Sequence, residues 1–142
     1  MLSTIRFCLK SILAIIILIV ITVMLFAFYL YFMLIYTLDG KDYKRSNVFD
    51  YYLLTPKLFR DAPDISKNIL YYTRADDNYG FTQERVTWEN VGDIMVAKKK
   101  VENFLSENGI KNGELNSMGE TYSIVLEDDD ITLVLITCTR YC

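Results

Sequence analysis

Residues 11–38 contain no charged side chain, and nearly every residue in this run is aliphatic or aromatic. At about 1.5 Å of helical rise per residue, the run reaches roughly 42 Å, against about 30 Å of bilayer hydrocarbon. A single segment in lipid satisfies its own backbone hydrogen bonds only as a helix. The run therefore predicts one transmembrane helix over residues 11–38, with a tilt.

A cleaved secretory signal is the alternative interpretation, because Arg6 and Lys10 precede the run. The apolar region of such a signal is about 7 to 15 residues long and ends at a cleavage site made of small residues. This run is longer, and its end reads YTLDG at 36–40. We therefore expect a retained, single-pass anchor.

The number of basic residues hardly distinguishes the two orientations of the anchor, since two precede the run and three follow it closely. A long C-terminal domain can translocate largely regardless of its charge. We therefore expect residues 1–10 to be a short cytoplasmic tail. The C-terminal domain is then expected on the periplasmic or extracellular side of the inner (cell) membrane.

The three cysteines divide across the run, with Cys8 before it and Cys138 and Cys142 after it. An even number of cysteines on an oxidising side avoids an orphan thiol, which also favours this orientation. Residues four apart on an extended strand lie about 13 Å apart, beyond the reach of a disulfide. Cys138 and Cys142 are therefore a candidate disulfide that requires the last residues to turn, and the sequence leaves their redox state open.

Residues 39–142 carry thirteen basic and eighteen acidic side chains, a formal charge of −5. Such a charge makes nucleic acid and anionic membrane surfaces poor partners. The polar segment 39–47 is typical of a tether, and residues 48–142 are enough for one small domain with its own core.

Strand-forming residues and intervening turn residues predict two hairpins, with strands at 69–74 and 81–88 and at 121–127 and 131–139. Apolar residues at helical spacing after Asp93 predict a helix that ends near Gly109. Pro56 and Pro63 limit any earlier helix to one or two turns over 56–61. The last strand is apolar on both faces, which predicts a place inside the sheet.

The predicted order is therefore ββαββ. It indicates an α+β fold in which a small antiparallel sheet carries one packed helix, behind the N-terminal transmembrane helix.

Catalysis finds little support, because the chain contains no histidine. Ser-His and Cys-His nucleophiles and histidine-containing zinc sites are excluded. Carboxylate pairs remain at 76–77 and 127–130, but both lie at predicted turns, where Asp side chains favour local hydrogen bonds. The acidic turn also lacks the spacing and the glycine of an EF-hand loop. We expect no enzyme, no cofactor and no metal site.

The layout of the chain resembles a known group of proteins. It combines a single N-terminal span, the segments LTPKL at 54–58 and APDIS at 62–66, and the hairpin, helix, hairpin order. In these respects it is similar to the membrane-anchored immunity proteins of bacterial contact-dependent or type VI toxin systems. The resemblance implies a cognate toxin that the protein blocks by binding it on the side of the membrane where the toxin acts.

Independently of that resemblance, acidic turns on a rigid sheet can steer a basic protein partner by long-range attraction. The candidate contact residues are Asp76, Asp77, Glu127, Asp128, Asp129 and Asp130. The alternative function is an accessory or scaffold subunit of a bacterial envelope complex, in which residues 11–38 would contact other helices. Replacing the span by an unrelated anchor discriminates between the two.

Overall fold

The computed structural model of the chain describes residues 2–76 and 80–138, in two compact units, Met1–Tyr36 and Thr37–Cys142. Helix α1 spans Leu2–Leu38. Within it, Ile12–Phe32 has a mean hydropathy of 3.1 over 21 residues. This helix is long and apolar enough to cross a membrane, a property that it shares with secretory signals. The hydroxyl of Thr22 donates to the carbonyl of Leu18 at 2.9 Å, so it is satisfied inside the helix.

The second unit is an antiparallel sheet of five strands with three helices. Its elements are β1 (Lys41–Tyr43), α2 (Val48–Leu54), α3 (Lys57–Arg60), β2 (Asn68–Asp76), β3 (Phe81–Glu89), α4 (Ile94–Glu107), β4 (Glu120–Glu127) and β5 (Asp130–Cys138). The strands lie in the order β1-β2-β3-β5-β4. The α+β class, the antiparallel sheet and the interior position of the last strand agree with the sequence-based prediction.

The predicted order ββαββ with one packed helix is incomplete, because the structure has β1, α2 and α3 before β2. Strand β1 lies inside the predicted tether and pairs with β2, where Tyr43 faces Tyr71. Three residues are too few to show a strand periodicity, and only this long-range pairing reveals the strand. Helices α2 and α3 add two further short helices, of which only the second falls in the predicted 56–61 segment.

The core lies on one face of the sheet, under α4 on the β4 and β5 side. Helix α4 begins at Asp93, whose carboxylate accepts the amides of Met95 and Val96 at 3.1 and 3.0 Å. Its buried residues recur at every fourth position, as expected for an amphipathic helix. The buried apolar residues under and on α4 are Val86, Trp88, Ala97, Val101, Leu105, Tyr122, Ile131, Leu133 and Leu135.

Helix α2 is fixed to the other side of the same face by a cluster of tyrosines. The ring of Tyr71 on β2 stacks on Tyr43 at 5.8 Å and meets Tyr51 of α2 edge-on at 5.2 Å. Burial raises the pKa of both Tyr43 and Tyr71 to about 12, so these phenols stay neutral. Asp50 of α2 accepts from the ammonium of Lys41 on β1 at 3.1 Å. The face of α2 that carries Asp50 and Tyr51 is therefore the buried one.

The two edges of the sheet differ in how far their outward backbone groups are covered. The outer edge of β4 is bonded by the preceding loop. The backbone amide of Gly113 donates to the carbonyl of Tyr122 at 2.7 Å, and the backbone amide of Asn116 donates to the carbonyl of Glu120 at 2.9 Å. The opposite edge is β1, which has three residues. Few free backbone groups are therefore presented along β4, whereas β1 covers only residues 71–73 of the nine-residue strand β2.

Candidate functional site

The predicted acidic turn joins β4 to β5. Glu127 pairs with Asp130, and Asp128 and Asp129 form the two-residue connection between them. Asp128 has a φ of 48°, in the left-handed region that short polar residues tolerate in turns. The carboxylates of Glu127, Asp128 and Asp129 belong to exposed residues, whereas Asp130 is half-buried.

This turn is held by the connection between β3 and α4. The amide of Asn90 donates to Oδ1 of Asp130 at 2.8 Å, and the amide of Val91 donates to the carbonyl of Asp129 at 2.7 Å. The Asp130 carboxylate therefore positions the turn. The three exposed carboxylates are fixed to the sheet through it.

The start of α4 lies at the same end of the sheet, because Asp93 follows Val91 by two residues. Met95 and Val96, in the first turn of α4, are 66% and 52% exposed. Carboxylates and apolar side chains are thus displayed together. We call Asp93, Met95, Val96, Glu127, Asp128 and Asp129 the acidic end.

Asp76, the described residue of the second predicted acidic turn, lies at the opposite end of the sheet. It pairs with Phe81 at the start of β3, which pairs with Cys138, whereas Trp88 pairs with Ile131 beside the acidic end. The length of β3, about 26 Å at 3.3 Å per residue, separates Asp76 from the turn between β4 and β5. The five described residues predicted to contact a partner therefore do not form one surface.

Two further predictions concern the pair Asp76 and Asp77 and the pair Cys138 and Cys142. Asp76 lies 3.4 Å from the guanidinium of Arg74, and its side chain is 13% exposed. Asp77 lies outside the described residues. Cys138 is disulfide-bonded, and Cys142, the partner predicted for it, also lies outside the described residues.

The sequence-based predictions do not include an apolar surface on α2. Its outward residues Val48, Phe49, Tyr52 and Leu53 are 62%, 68%, 65% and 39% exposed. The only charged residue of the helix, Asp50, is the one that points inward. In α2 the charged residue is therefore buried and the apolar residues are exposed, the reverse of an ordinary amphipathic helix. Because Asp50 is neutralised by Lys41 from another element, no pattern within the helix reveals this arrangement.

Basic side chains surround α2. The guanidinium of Arg45 lies 5.6 Å from the centre of the Tyr51 ring, and that of Arg60 lies 5.9 Å from the centre of the Tyr52 ring. Hydrogen bonds to Asp64 raise the pKa of Arg45, which stays charged. An open groove of about 490 Å³ beside Arg45 is lined by Arg45, Asp64, Ile65, Ser66, Lys67 and Ile69.

A pair of carboxylates lies on the helix side of the sheet, where the sequence indicated nothing. Glu84 lies on β3 between Thr73 and Leu135, and its Oε2 atom has no hydrogen-bond partner among the described residues. Burial, and secondarily the charge of Glu120, raises the pKa of Glu84 to about 7. The carboxylate of Glu120 accepts from the side-chain amide of Asn116 at 2.8 Å. Within residues 2–76 and 80–138, no group of three or more candidate ligands could hold a metal ion.

The carboxyl of Glu84 makes the stability of the unit depend on pH. The folded state keeps a proton that the unfolded chain has already lost, so stability falls as pH rises from about 4.5 to about 7. We expect Glu84→Gln to raise the free energy of unfolding at pH 8 by about 1–2 kcal/mol, allowing for partial solvent screening, and to flatten this slope.

Urea unfolding of the full chain in detergent at several pH values measures this effect. Trp88, the single tryptophan, is fully buried and reports on the second unit alone. Glu107→Gln, at an exposed position of α4, is the matched control and should leave the slope unchanged. An unaltered slope in Glu84→Gln would contradict the assignment.

No protein-family model, curated protein or solved structure matches the chain.

Proposed function

We propose that the protein is a membrane-anchored binding module of the immunity type, which neutralises a basic toxin by binding it at the periplasmic face. Helix α1 would be the anchor, with a cytoplasmic N-terminus. The observation that carries the proposal is the acidic end, where three exposed carboxylates of one turn and exposed Met95 and Val96 lie at the same end of the sheet.

The chemistry of this end suits a protein partner. Protein interfaces combine apolar contacts, which supply most of the affinity, with charges that set the encounter rate and the choice of partner. Residues 68–142 carry seven basic and thirteen acidic side chains, so a positively charged protein is attracted to this part of the domain.

The rigidity of the acidic end also favours binding. The turn is held by the bonds of Asn90 to Asp130 and of Val91 to Asp129. Less conformational entropy is lost when a surface that is already ordered meets its partner. Asp76, and Asp77 next to it in the sequence, are secondary contacts in this proposal, because a partner centred on the acidic end would have to extend about 26 Å to reach Asp76.

Charge reversal at the turn tests the proposal. We expect Glu127→Lys, Asp128→Lys and Asp129→Lys together to weaken partner binding at least about tenfold and to reduce its dependence on salt, since the attraction is electrostatic. Asp130 is left unchanged because it positions the turn. A photoreactive residue in place of Met95, in living cells, would identify the partner, and calorimetry at several salt concentrations would then measure its affinity.

The matched control carries Glu102→Lys, Glu107→Lys and Glu114→Lys, three exposed positions away from the turn that change the net charge equally. It should retain most of the affinity. Equal losses in both variants, or a partner that does not harm cells lacking this protein, would contradict the proposal. Replacement of residues 11–38 by an unrelated anchor should preserve protection, whereas a scaffold subunit that uses its span for contacts would fail.

A further inference from the structure

Helix α2 displays a continuous apolar face. Val48, Phe49, Tyr52 and Leu53 cover an arc of about 140° at 100° per residue, and all four are exposed. Contiguous exposed patches of large apolar side chains are uncommon on soluble domains and mark sites of interaction with a protein or a membrane.

The helix is fixed in the orientation that exposes this face. Its opposite side is held by the ion pair of Asp50 with Lys41 and by the contact of Tyr51 with Tyr71. Rotating α2 to bury Phe49 and Tyr52 would expose Tyr51 and break a largely buried ion pair, which is strongly unfavourable. The apolar face is therefore built into the fold.

The charges around α2 indicate what it binds. Residues 39–67 carry six basic and five acidic side chains, and one of the acidic ones is the buried Asp50. The net charge of −5 for residues 39–142 is thus unevenly distributed, because the acidic excess lies wholly in residues 68–142. The charge argument against anionic lipid therefore applies to residues 68–142 and not to residues 39–67.

The side chains themselves suit a bilayer surface. Tyr and Phe insert at the level of the lipid headgroups, and Lys and Arg extend their charges to the headgroup phosphates. Lys57 and Arg60 follow α2 directly, and they line one cavity together with Tyr51, Tyr52 and Asp61. A short helix with an apolar face and flanking basic residues is typical of segments that lie in the membrane interface.

We infer that the outward face of α2, with Lys57 and Arg60, binds the surface of an anionic lipid bilayer. The inference rests on the anchoring part of the proposed function and is independent of toxin binding. Only residues 39–47 separate α1 from α2 in the chain, so an anchored molecule keeps α2 at a high effective concentration near lipid.

A fluorescence experiment on the full chain in vesicles tests the inference. The reporter is Phe49→Trp, and the matched control is Met95→Trp, at an equally exposed position on α4. Each variant is reconstituted into phosphatidylcholine vesicles with and without phosphatidylglycerol, and quenching by brominated acyl chains is compared. Native Trp88 contributes the same buried background to both.

We expect acyl-chain quenching of the Phe49→Trp reporter to exceed that of the control at least about threefold in anionic vesicles. Lys57→Glu with Arg60→Glu in the reporter protein should reduce the difference. Equal quenching of reporter and control would overturn the inference. Iodide quenching of the Phe49→Trp reporter gives a second way to overturn it. If protection of this tryptophan from iodide rises with protein density and not with anionic lipid, a second copy of the chain covers the face.

Vesicle flotation in high salt, made on the same samples, tests the anchor separately. A chain that leaves the vesicles lacks the anchoring on which both proposals depend, and the inference is then wrong. A chain that stays with the vesicles but fails to bind a toxin leaves the lipid contact of α2 standing.

Discussion

Tyr71→Ala is expected to lower the free energy of unfolding of the second unit by about 3–5 kcal/mol, enough to unfold a domain of ordinary stability. Tyr71 is 1% exposed and contacts both Tyr43 and Tyr51. Its loss leaves a cavity at the point where β1, β2 and α2 meet, and it removes the hydroxyl that accepts from Arg45. Urea unfolding monitored by Trp88 emission measures the change.

Tyr52→Ala is the matched control for this substitution. Tyr52 lies next to Tyr51 in the same helix, but its side chain points outward. We expect a loss below about 1 kcal/mol, as for most surface positions. If the two substitutions were equally destabilising, the tyrosine cluster would not be what fixes α2 to the sheet.

Gly119→Ala has the second largest expected effect, a loss of about 3 kcal/mol. Gly119 has a φ of +78°, and a Cβ there would lie 2.7 Å from the carbonyl oxygen of Cys138. The left-handed backbone alone costs an L-residue about 1–2 kcal/mol, and the clash is with backbone that cannot move aside easily. The substitution would also disturb the bond from the Cys138 amide to Gly119.

Two other glycines separate the steric and conformational contributions. Gly109 has a φ of +71° with nothing within 4 Å of an added Cβ, so Gly109→Ala should lose only the conformational part. Gly92 lacks both constraints, and Gly92→Ala should be nearly neutral. Chemical denaturation should therefore rank the losses as Gly119, Gly109, Gly92. A loss at Gly119 no larger than that at Gly109 would refute the clash.

The parts of the fold that depend on local pattern could be predicted. The strands at 69–74 and 81–88 appear as β2 and β3, which are three residues and one residue longer, and the helix after Asp93 is α4. Strand formers, turn residues and the cap at Asp93 are properties of neighbouring residues. Pairings between residues far apart in the sequence, such as Tyr43 with Tyr71, produce no pattern among neighbouring residues. Strand β1 therefore could not be predicted from the sequence.

The candidate site divides in the same way. Turn chemistry predicts the acidic hairpin at Asp128 and Asp129, but only the register of β3 against β5 shows that Asp76 lies at the other end of the sheet. Glu84 sits in an alternating strand, and its position on the helix side depends on which face Val86 and Trp88 bury. The apolar face of α2 depends on Lys41, which no pattern within the helix can indicate.

The covered edge of β4 limits how copies of this chain associate when they meet. An open strand would let each encounter extend the sheet into an aggregate. In β4 the peptide groups of Glu120, Tyr122 and Ile124 are already bonded to residues 112–116, so encounters between copies along this edge can remain brief and reversible.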